Sequence, residues 1–358
     1  MLKKILLTAL AIIVVAAAAG ALMRDRLVEA AMRKQIMRNL SGEAFREMND
    51  GLNVVLCGAG SPLPDPTRSG PCVLVIAGTR VMVVDVGSGA VRRIGPAGVP
   101  MARIEDVFLT HFHSDHIDGL GELMMQRWAG ASRTSPLPVH GPTGVEDVVA
   151  GFNQAYMHDD HYRVAHHGEK IIPPSGAGGI AMPFELPAEG QGTVVLDTDG
   201  LKVTAFAVDH RPIVPAVGYR FDYQGRSVVI SGDTVKSANL QHFAQGADLL
   251  VHEALNPDLL KIMTNAAVDA GAANLAQITR DIVNYHTTPV QAAEIARDAG
   301  VKHLLFYHLV PALPYRPMEQ MFVRGVSGIY KGGVTVGHDG TWISLPANSS
   351  DVRVGSRF

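Results

Sequence analysis

Three histidines and an aspartate that follow one apolar segment carry the clearest chemical signal in the sequence. Residues 106–109 have the pattern of a buried strand and run directly into His111, His113, Asp115 and His116. Imidazole and carboxylate groups together suit zinc or a similar divalent ion, and no cysteine lies nearby to form a structural thiolate site. Four ligands so close together are too many for one tetrahedral ion that also accepts ligands from elsewhere in the chain. The spacing therefore favours a site for two metal ions after the end of a strand.

The composition of the chain excludes several classes of protein. Of its 358 residues, 47% are hydrophobic and 18% are charged, which excludes a disordered or charge-patterned chain. Its two cysteines cannot build a disulfide scaffold or a thiolate zinc cluster. The formal net charge of −3 argues against a dedicated nucleic-acid-binding protein, although it leaves local basic patches open. The unusual quantity is histidine, of which the chain has 15.

Apolar runs separated by glycines predict strands in two successive sets, each followed by helices. The strand-like runs are residues 53–57, 72–76, 81–86 and 106–109, then 194–196, 202–208, 216–221, 227–230, 249–252 and 303–307. The helical patterns are residues 120–128, 145–156, 272–285 and 290–299. This order predicts an α/β fold in which two sheets pack face to face with helices outside. Residues 163–191, rich in proline and glycine, are predicted to form a long loop or lid.

The N-terminus has the pattern of a signal peptide or a membrane anchor. Lys3 and Lys4 precede an almost unbroken apolar run at residues 5–22, which is just long enough to cross a bilayer. We therefore assign residues 1–23 to a signal peptide or anchor and residues 24–50 to an amphipathic helical linker. Cleaved export to the periplasm or the medium, an uncleaved anchor, and a cytosolic protein with an apolar tail all remain open.

The two cysteines bear on the same question of compartment. Cys57 and Cys72 lie on successive strand candidates, so in an oxidising compartment they could form a disulfide. Two small buried thiols are an equally good interpretation of the sequence.

Several segments, taken in order, resemble the motifs of the metallo-β-lactamase superfamily, and the resemblance covers residues 52–315. The matching segments are residues 54–62, 83–89, 106–119, 208–220, 231–234 and 306–309. The third of the family's motifs is matched in the form typical of its ribonuclease Z-like branch. The resemblance implies a four-layer αββα sandwich behind an N-terminal hydrophobic helix. It places a hydrolase domain at residues 51–345 and a C-terminal tail at residues 346–358.

The resemblance also implies which residues hold metal. It assigns two zinc ions per chain, although another divalent metal would also suit these ligands. The ligands are His111, His113 and His210 for one ion, Asp115, His116 and His308 for the other, and Asp233 between them. Asp233 and His308 each end an apolar strand, as His111 does, so all three can converge at one edge of the sheets. Two ions that share a hydroxide would hydrolyse an ester, and the spare oxygen of Asp115 could orient that hydroxide.

His286 is the second catalytic candidate beside Asp115. Residues 285–288 resemble the motif that supplies a leaving-group acid in the ribonuclease Z-like branch, and an imidazole beside two cations is a reasonable proton donor. The alternative is a histidine at a helix junction. Glu253 is expected to orient the site from behind the ligands rather than to bind metal. A further polar cluster at residues 158–167 could line the substrate mouth or form a solvated helix end.

The region between His210 and Asp233 differs from that of tRNA-processing members of the branch. It spans only 23 positions, where those members insert a long RNA-binding arm. They also carry a carboxylate shortly before the Gly-Asp pair to contact the catalytic histidine, whereas residues 228–230 are apolar here. Residues 62–66 and 227–234 look more like the arylsulfatase-type members. tRNA processing is therefore not the function that the sequence favours.

The function favoured by the sequence is a dinuclear zinc hydrolase of small anionic sulfate or phosphate esters, exported or anchored to the membrane. The expected partners are that substrate and, if the N-terminal segment stays uncleaved, a membrane; there is no strong nucleic-acid signal, and a homodimer is left open. The alternatives are a ribonuclease Z-like phosphodiesterase or endoribonuclease, and a lactonase. A binding module that has lost its catalytic activity would lack some of the metal ligands. All seven predicted metal ligands are present in the sequence, which argues against this alternative.

Overall fold

The computed structural model describes residues 2–48 and 50–358. A long helix, α1, occupies Leu2–Ser41, and a short helix, α2, occupies Glu43–Arg46. The apolar side chains described along α1 are exposed instead of packing on the rest of the protein. Over Lys3–Met37 this helix is long and apolar enough to cross a membrane, and an N-terminal signal sequence would pass the same test.

Strands alternate with helices through the rest of the chain. The strands are β1 (Leu52–Gly58), β2 (Cys72–Ala77), β3 (Arg80–Val84), β4 (Ile104–Phe108), β5 (Leu137–Pro142), β6 (Gly179–Phe184), β7 (Gly192–Thr198), β8 (Leu201–Ala207), β9 (Val217–Tyr223), β10 (Arg226–Ile230), β11 (Leu249–Leu255), β12 (His303–Val310), β13 (Gly333–Val336), β14 (Thr341–Leu345) and β15 (Arg353–Ser356). The further helices are α3 (Val91–Ile94), α4 (Ser114–Ile117), α5 (Leu120–Ala131), α6 (Val145–His167), α7 (Ala238–Phe243), α8 (Pro257–Asp269), α9 (Ala273–Asp281), α10 (Pro289–Asp298), α11 (Arg316–Phe322) and α12 (Val326–Ile329). Single 3₁₀ turns lie at Met101–Arg103, Pro174–Gly176 and Ile282–Tyr285.

The strands form two mixed sheets. The first has the order β15-β14-β1-β2-β3-β4-β5-β6, and the second has the order β13-β12-β11-β10-β9-β8-β7. Strands β3 to β6 run parallel to one another, as do β10 to β13. Because parallel strands end at the same edge of a sheet, the loops that follow β4, β10 and β12 can meet at one side of the molecule.

The alternation of side chains along β1 shows how the layers pack. Leu52 and Val54 lie in a buried cluster with Val228 and Leu305 of the second sheet, whereas Val55 belongs to a cluster on the opposite face that includes residues of α3, α5 and α6. The outer face of the second sheet is covered by α7 and α10 to α12. Successive residues of a strand point to opposite faces, so each sheet buries one face on the other sheet and one on helices. The predicted four-layer αββα sandwich is confirmed.

Cys57 and Cys72 form a disulfide between β1 and β2, and both are buried. Of the two interpretations that the sequence left open, the structure has the paired one. The bond lies on the face of the first sheet that packs against helices.

The predicted loop at residues 163–191 is wrong in part. Helix α6 continues to His167, where Gly168 with φ of 79° ends it, and β6 then adds a parallel strand at the edge of the first sheet. Burial along β6 alternates between partly covered and exposed positions, because one of the two faces of this strand is more exposed than the other. A search for continuous apolar runs therefore misses this strand.

The residues after β14 are joined to the second sheet by a buried arginine. Strand β15 pairs antiparallel with β14. Arg226 donates hydrogen bonds to the main-chain oxygens of Pro346 at 3.0 Å and Asp351 at 2.8 Å, and pairs with Asp248 at 3.1 Å. Its charge is thus fully compensated inside the protein, as a buried charge must be.

Candidate metal centre

The loop that follows β4 is held by Asp85, which comes directly after β3. The carboxylate of Asp85 accepts hydrogen bonds from the main-chain N–H and the hydroxyl of Thr110, both at 2.8 Å. Asp85 has φ of 55°, so the backbone turns at this point instead of continuing the strand. Because Thr110 immediately precedes His111, these two bonds set the direction in which the histidine loop leaves the sheet.

The loop and helix α4 then present four of the candidate ligands. Nε2 of His111 lies 3.0 Å from Nδ1 of His113. Asp115 and His116 follow in the first turn of α4, and both are buried. Nδ1 of His116 donates to the carboxylate of Asp85 at 2.8 Å, which leaves its Nε2 for the centre.

His210 and Asp233 enter the centre from the second sheet. His210 follows β8, and its Nδ1 donates to the main-chain oxygen of Tyr285 at 2.9 Å, so its Nε2 remains free for the centre. Asp233 follows β10 through Gly232, which has φ of +60°. A Cβ at Gly232 would lie 2.7 Å from the main-chain oxygen of Val217. Both the backbone conformation and the space therefore require glycine before this aspartate.

Asp233 lies in the middle of the cluster. Its Oδ2 is 3.3 Å from Nε2 of His308, 3.4 Å from Nε2 of His116 and 3.9 Å from Nε2 of His111. Nε2 of His308, from β12, is also 3.3 Å from Oδ2 of Asp115. The structure thus brings all seven predicted ligands together in two groups. His111, His113, His210 and Asp233 form one group and Asp115, His116 and His308 the other, with the ligand atoms of each within 4.8 Å of one another.

The histidines of the first group are held neutral by burial. Burial lowers the pKa of His111 well below its usual value, and the positive charge of His116 adds to this effect. Burial likewise lowers the pKa of His113 and of His210. Neutral imidazole is the form that binds a metal ion.

The charges of Asp233, His116 and His308 shift one another's pKa values. Burial alone would raise the pKa of Asp233, but the charges of His308 and His116 hold it well below its usual value. Burial alone would also lower the pKa of His116 and His308, but Asp233 and Asp115 raise both. The cluster is therefore anionic at its carboxylates, and a cation bound there would displace the protons of these two histidines.

The donor set fits a divalent metal. Nε2 of His116, Nε2 of His210 and Oδ1 of Asp233 are buried and have no hydrogen-bond partner among the described residues. Buried polar atoms are nearly always hydrogen-bonded, so each such atom requires an explanation. A metal ion explains all three, because imidazole nitrogen and carboxylate oxygen are its ordinary ligands.

His286 lies beside the cluster with Glu253 behind it. Nδ1 of His286 is 3.2 Å from Oε2 of Glu253, which is fully buried in β11. The other oxygen of Glu253 accepts the main-chain N–H groups of Thr287 at 2.8 Å and Thr234 at 3.3 Å. The ring of His286 lies 5.5 Å from that of His308. Glu253 is thus fixed by the backbone and faces the imidazole of His286.

Glu253 gives His286 a carboxylate contact although the residues shortly before Asp233 are apolar. Residues 228–230 are apolar, yet Ile230 pairs with Val251 in the parallel register of β10 and β11. The glutamate two positions beyond Val251 therefore lies next to the end of β10. The sequence indicated that Glu253 orients the site, but a search along one strand does not show that its carboxylate faces His286.

The polar cluster at residues 158–167 does not join the centre. Its members lie on exposed and partly exposed positions near the end of α6. Among the described residues, none of its histidines or aspartates belongs to a group that could hold metal. Asp159 instead pairs with Arg163 at 2.6 Å, one turn further along the helix. This arrangement favours the solvated helix end over the substrate mouth.

Two residues support the centre without having been predicted to do so. Asp85 falls within residues 83–89, which match a family motif, but no function was predicted for it. Its carboxylate directly follows an apolar strand, and this position could have indicated a supporting residue. Tyr285 supports His210 through its main-chain oxygen. Because every residue has such an oxygen, no residue type could have indicated it.

Comparison with known proteins places the chain in a family. Residues 82–309 match the family described as Beta-lactamase superfamily domain. The chain is 40% identical over 271 residues to Ribonuclease Z of Mycobacterium avium strain 104, covering 75% of this chain and 90% of that protein. It is 37% identical over 290 residues to Ribonuclease Z of Mycobacterium bovis BCG strain Pasteur 1173P2, covering 80% and 96%.

Solved structures share the fold at low sequence identity. A metallo-β-lactamase fold protein from Bacillus subtilis superposes with a TM-score of 0.58 at 18% identity, covering 82% of this chain and 99% of that one. The short form of human tRNase Z superposes with a TM-score of 0.57 at 22% identity, with the same coverage. These two likenesses support the fold alone.

The relatives overturn the expected substrate and show the family to which the chain belongs. We expected a small anionic ester as partner and found no strong nucleic-acid signal in the sequence, but the relatives are named for action on RNA, and arylsulfatase-like cleavage is not supported. That expectation relied on a missing arm and a net charge of −3, which describe an insertion and the overall field, not the catalytic core. This chain belongs to the metallo-β-lactamase superfamily, in its ribonuclease Z-like branch, and is a metal-dependent hydrolase of ester bonds.

Proposed function

We propose that this protein is a dinuclear zinc phosphodiesterase that cleaves RNA. The observation that carries the proposal is the arrangement of two ligand groups around Asp233 with the Glu253–His286 pair beside them. It occurs in a chain whose relatives at 37% and 40% identity are named Ribonuclease Z. The matched region covers 90% and 96% of those relatives, so the likeness extends over nearly their whole length.

The metal ligands in this proposal are the seven side chains of the cluster. His111, His113 and His210 would hold one ion, Asp115, His116 and His308 the other, and Asp233 would lie between them. The buried ligand atoms without hydrogen-bond partners among the described residues support this assignment. When bound, two divalent ions neutralise charge on the phosphate oxygens and lower the pKa of the attacking water.

Asp115 and His286 would move the protons of the reaction. One oxygen of Asp115 lies beside Nε2 of His308, which leaves the other to accept a proton from the attacking water. As the water oxygen bonds to phosphorus, the bond from phosphorus to the leaving oxygen breaks, and His286 donates a proton to that oxygen. Nδ1 of His286 faces Glu253 at 3.2 Å, so Nε2 would be the nitrogen that donates.

We also propose that α1 carries the catalytic domain out of the cytosol, as an anchor or an export signal. Its length and apolar character support this, and so does the disulfide between Cys57 and Cys72, because disulfides persist in oxidising compartments. Thiol alkylation of the protein in intact cells tests the proposal. Cysteines that react only after reduction and denaturation support export, and cysteines that react in the denatured protein without reduction contradict it.

Cleavage of a tRNA precursor with a 3′ extension by the purified, zinc-loaded protein tests the main proposal. We expect endonucleolytic products with the wild type and at least a hundredfold slower cleavage with Asp233→Ala. Asp197→Ala is the matched control, because Asp197 is an exposed aspartate on β7 and away from the cluster. Wild-type protein that contains zinc but leaves the RNA intact would refute the proposal, and so would undiminished cleavage by Asp233→Ala.

A further inference from the structure

A cavity of about 270 Å³ opens over the metal cluster, and its two sides differ in character. One side consists of candidate ligands and His286. The other consists of apolar side chains, among them Leu63, Ile278 and Ile282, together with Tyr285. The volume lies just below the range of roughly 300–1,000 Å³ for small-molecule pockets, which is room for one nucleotide and not for a duplex.

Part of the apolar side is anchored in the protein, whereas Ile278 is 53% exposed. Leu63 and Ile282 pack on a small buried cluster of Leu255, Leu260 and Val310. This cluster is separate from the three larger cores and lies under the rim of the cavity. This packing holds Leu63 and Ile282 in place at the rim of the cavity.

The charges of the cavity all lie on the metal side. None of its lining residues, all of them described by the structure, is a lysine or an arginine. Contacts to the sugar-phosphate backbone normally come from cationic side chains. Apart from the scissile phosphate itself, the group that occupies this cavity is therefore one that prefers an apolar, aromatic surface.

Tyr285 is the aromatic residue of the wall and contacts both catalytic elements. Its ring centroid is 4.8 Å from that of His210, a candidate ligand, and 4.9 Å from that of His286, the candidate acid. The ring is partly buried, so part of it remains accessible from the cavity. A planar group that stacks on Tyr285 would lie immediately beside the bond being cleaved.

We propose that Tyr285, with Ile278 and Ile282, forms a stacking site for the nucleobase next to the scissile phosphodiester. The inference rests on the proposed cleavage of RNA and adds that this nucleotide must be unpaired. Stacking on an aromatic side chain accepts any base, because every base has a π-face. The wall thus selects single-stranded RNA at the cleavage point without reading its sequence.

Matched RNA substrates with and without the relevant base test this proposal. The substrates are two single-stranded oligoribonucleotides, one of which has an abasic site beside the cleaved bond. We expect Tyr285→Ala to raise the KM for the intact oligonucleotide about tenfold and Tyr285→Phe to leave it nearly unchanged, since Phe keeps the stacking surface. For the abasic oligonucleotide, wild type and Tyr285→Ala should have the same KM. Tyr162→Ala, which alters an exposed tyrosine on α6, is the control.

Binding to metal-depleted protein gives a readout that does not depend on turnover. Fluorescence anisotropy with the same labelled oligonucleotides in excess chelator should give weaker binding for Tyr285→Ala than for wild type, and only with the intact base. Equal KM and equal binding for wild type and Tyr285→Ala, in protein that cleaves RNA, would overturn the stacking site alone. Wild-type protein that cleaves neither oligonucleotide nor tRNA precursor would overturn the proposed function and this site with it.

Discussion

The contact between Glu253 and His286 gives the sharpest mutational prediction. The two side chains are 3.2 Å apart, and Glu253 is fully buried, so water cannot replace its carboxylate. Removing one partner of a buried polar contact costs about 1–3 kcal/mol, which corresponds to a factor of roughly 5–150 in rate. Glu253→Gln keeps the shape and can still accept the N–H groups of Thr287 and Thr234, but it removes the negative charge that faces the imidazole of His286.

The assay compares two leaving groups. Proton donation matters when the leaving oxygen is a nucleotide hydroxyl and hardly at all when it is a nitrophenolate. We expect Glu253→Gln to lower kcat on RNA by about 10- to 100-fold and on bis(4-nitrophenyl) phosphate by less than about threefold, with unchanged zinc content. Glu169→Gln, at an exposed glutamate after α6, serves as control. An equal loss on both substrates would refute the role of this pair in leaving-group protonation.

Three other substitutions test the supports of the fold and the site. Asp85→Asn should weaken zinc binding by about 10- to 100-fold in a chelator competition, because this carboxylate orients a ligand histidine. Gly232→Ala should lower the free energy of unfolding by more than about 1 kcal/mol in urea titrations, and by more than Gly225→Ala, which has a similar φ but open space. Burial alone would raise the pKa of Asp248, but its bond to Lys302 helps to hold it below the usual value. The contribution of Asp248 to stability is therefore present above about pH 4 and is lost as the pH falls through its folded-state pKa. Asp248→Asn should lower the free energy of unfolding at pH 7 and should make that free energy fall less steeply in acid. Parallel curves of unfolding free energy against pH for the two proteins would contradict this.

The layered fold could be predicted because its signals are local. Apolar runs such as residues 72–76 and 303–307 coincide closely with β2 and β12, and the order of strands and helices implies two sheets. Strands β5, β6, β13, β14 and β15 were not predicted. Strand β6 is exposed along one side, so its residues lack the continuous apolar pattern that marks a buried strand.

The candidate ligands could be found in the sequence for a chemical reason. The run from His111 to His116 concentrates imidazoles and a carboxylate after one strand, and a metal site needs these residue types whatever surrounds them. The supporting contacts depend instead on proximity in three dimensions. Glu253 reaches His286 across 33 positions, and the main-chain oxygen of Tyr285 reaches His210, so neither contact leaves a pattern along the chain.

The substrate was the weakest part of the prediction from sequence. Net charge and the short segment between His210 and Asp233 report on surfaces outside the catalytic core, whereas the relatives share the core itself. The apolar wall around Tyr285 was not recognised because its members come from separate segments. Its position beside the candidate ligands offers a way to bind an unpaired nucleotide without an RNA-binding arm.

Metal content measured by atomic emission on folded, purified protein tests the central claim most directly. The wild type, dialysed after exposure to zinc, should retain about two zinc ions per chain, as expected of a two-metal hydrolase, and Asp233→Ala should retain at most one. Asp197→Ala should match the wild type. Fewer than one zinc ion in folded wild-type protein, or an unchanged content in Asp233→Ala, would contradict the proposed centre.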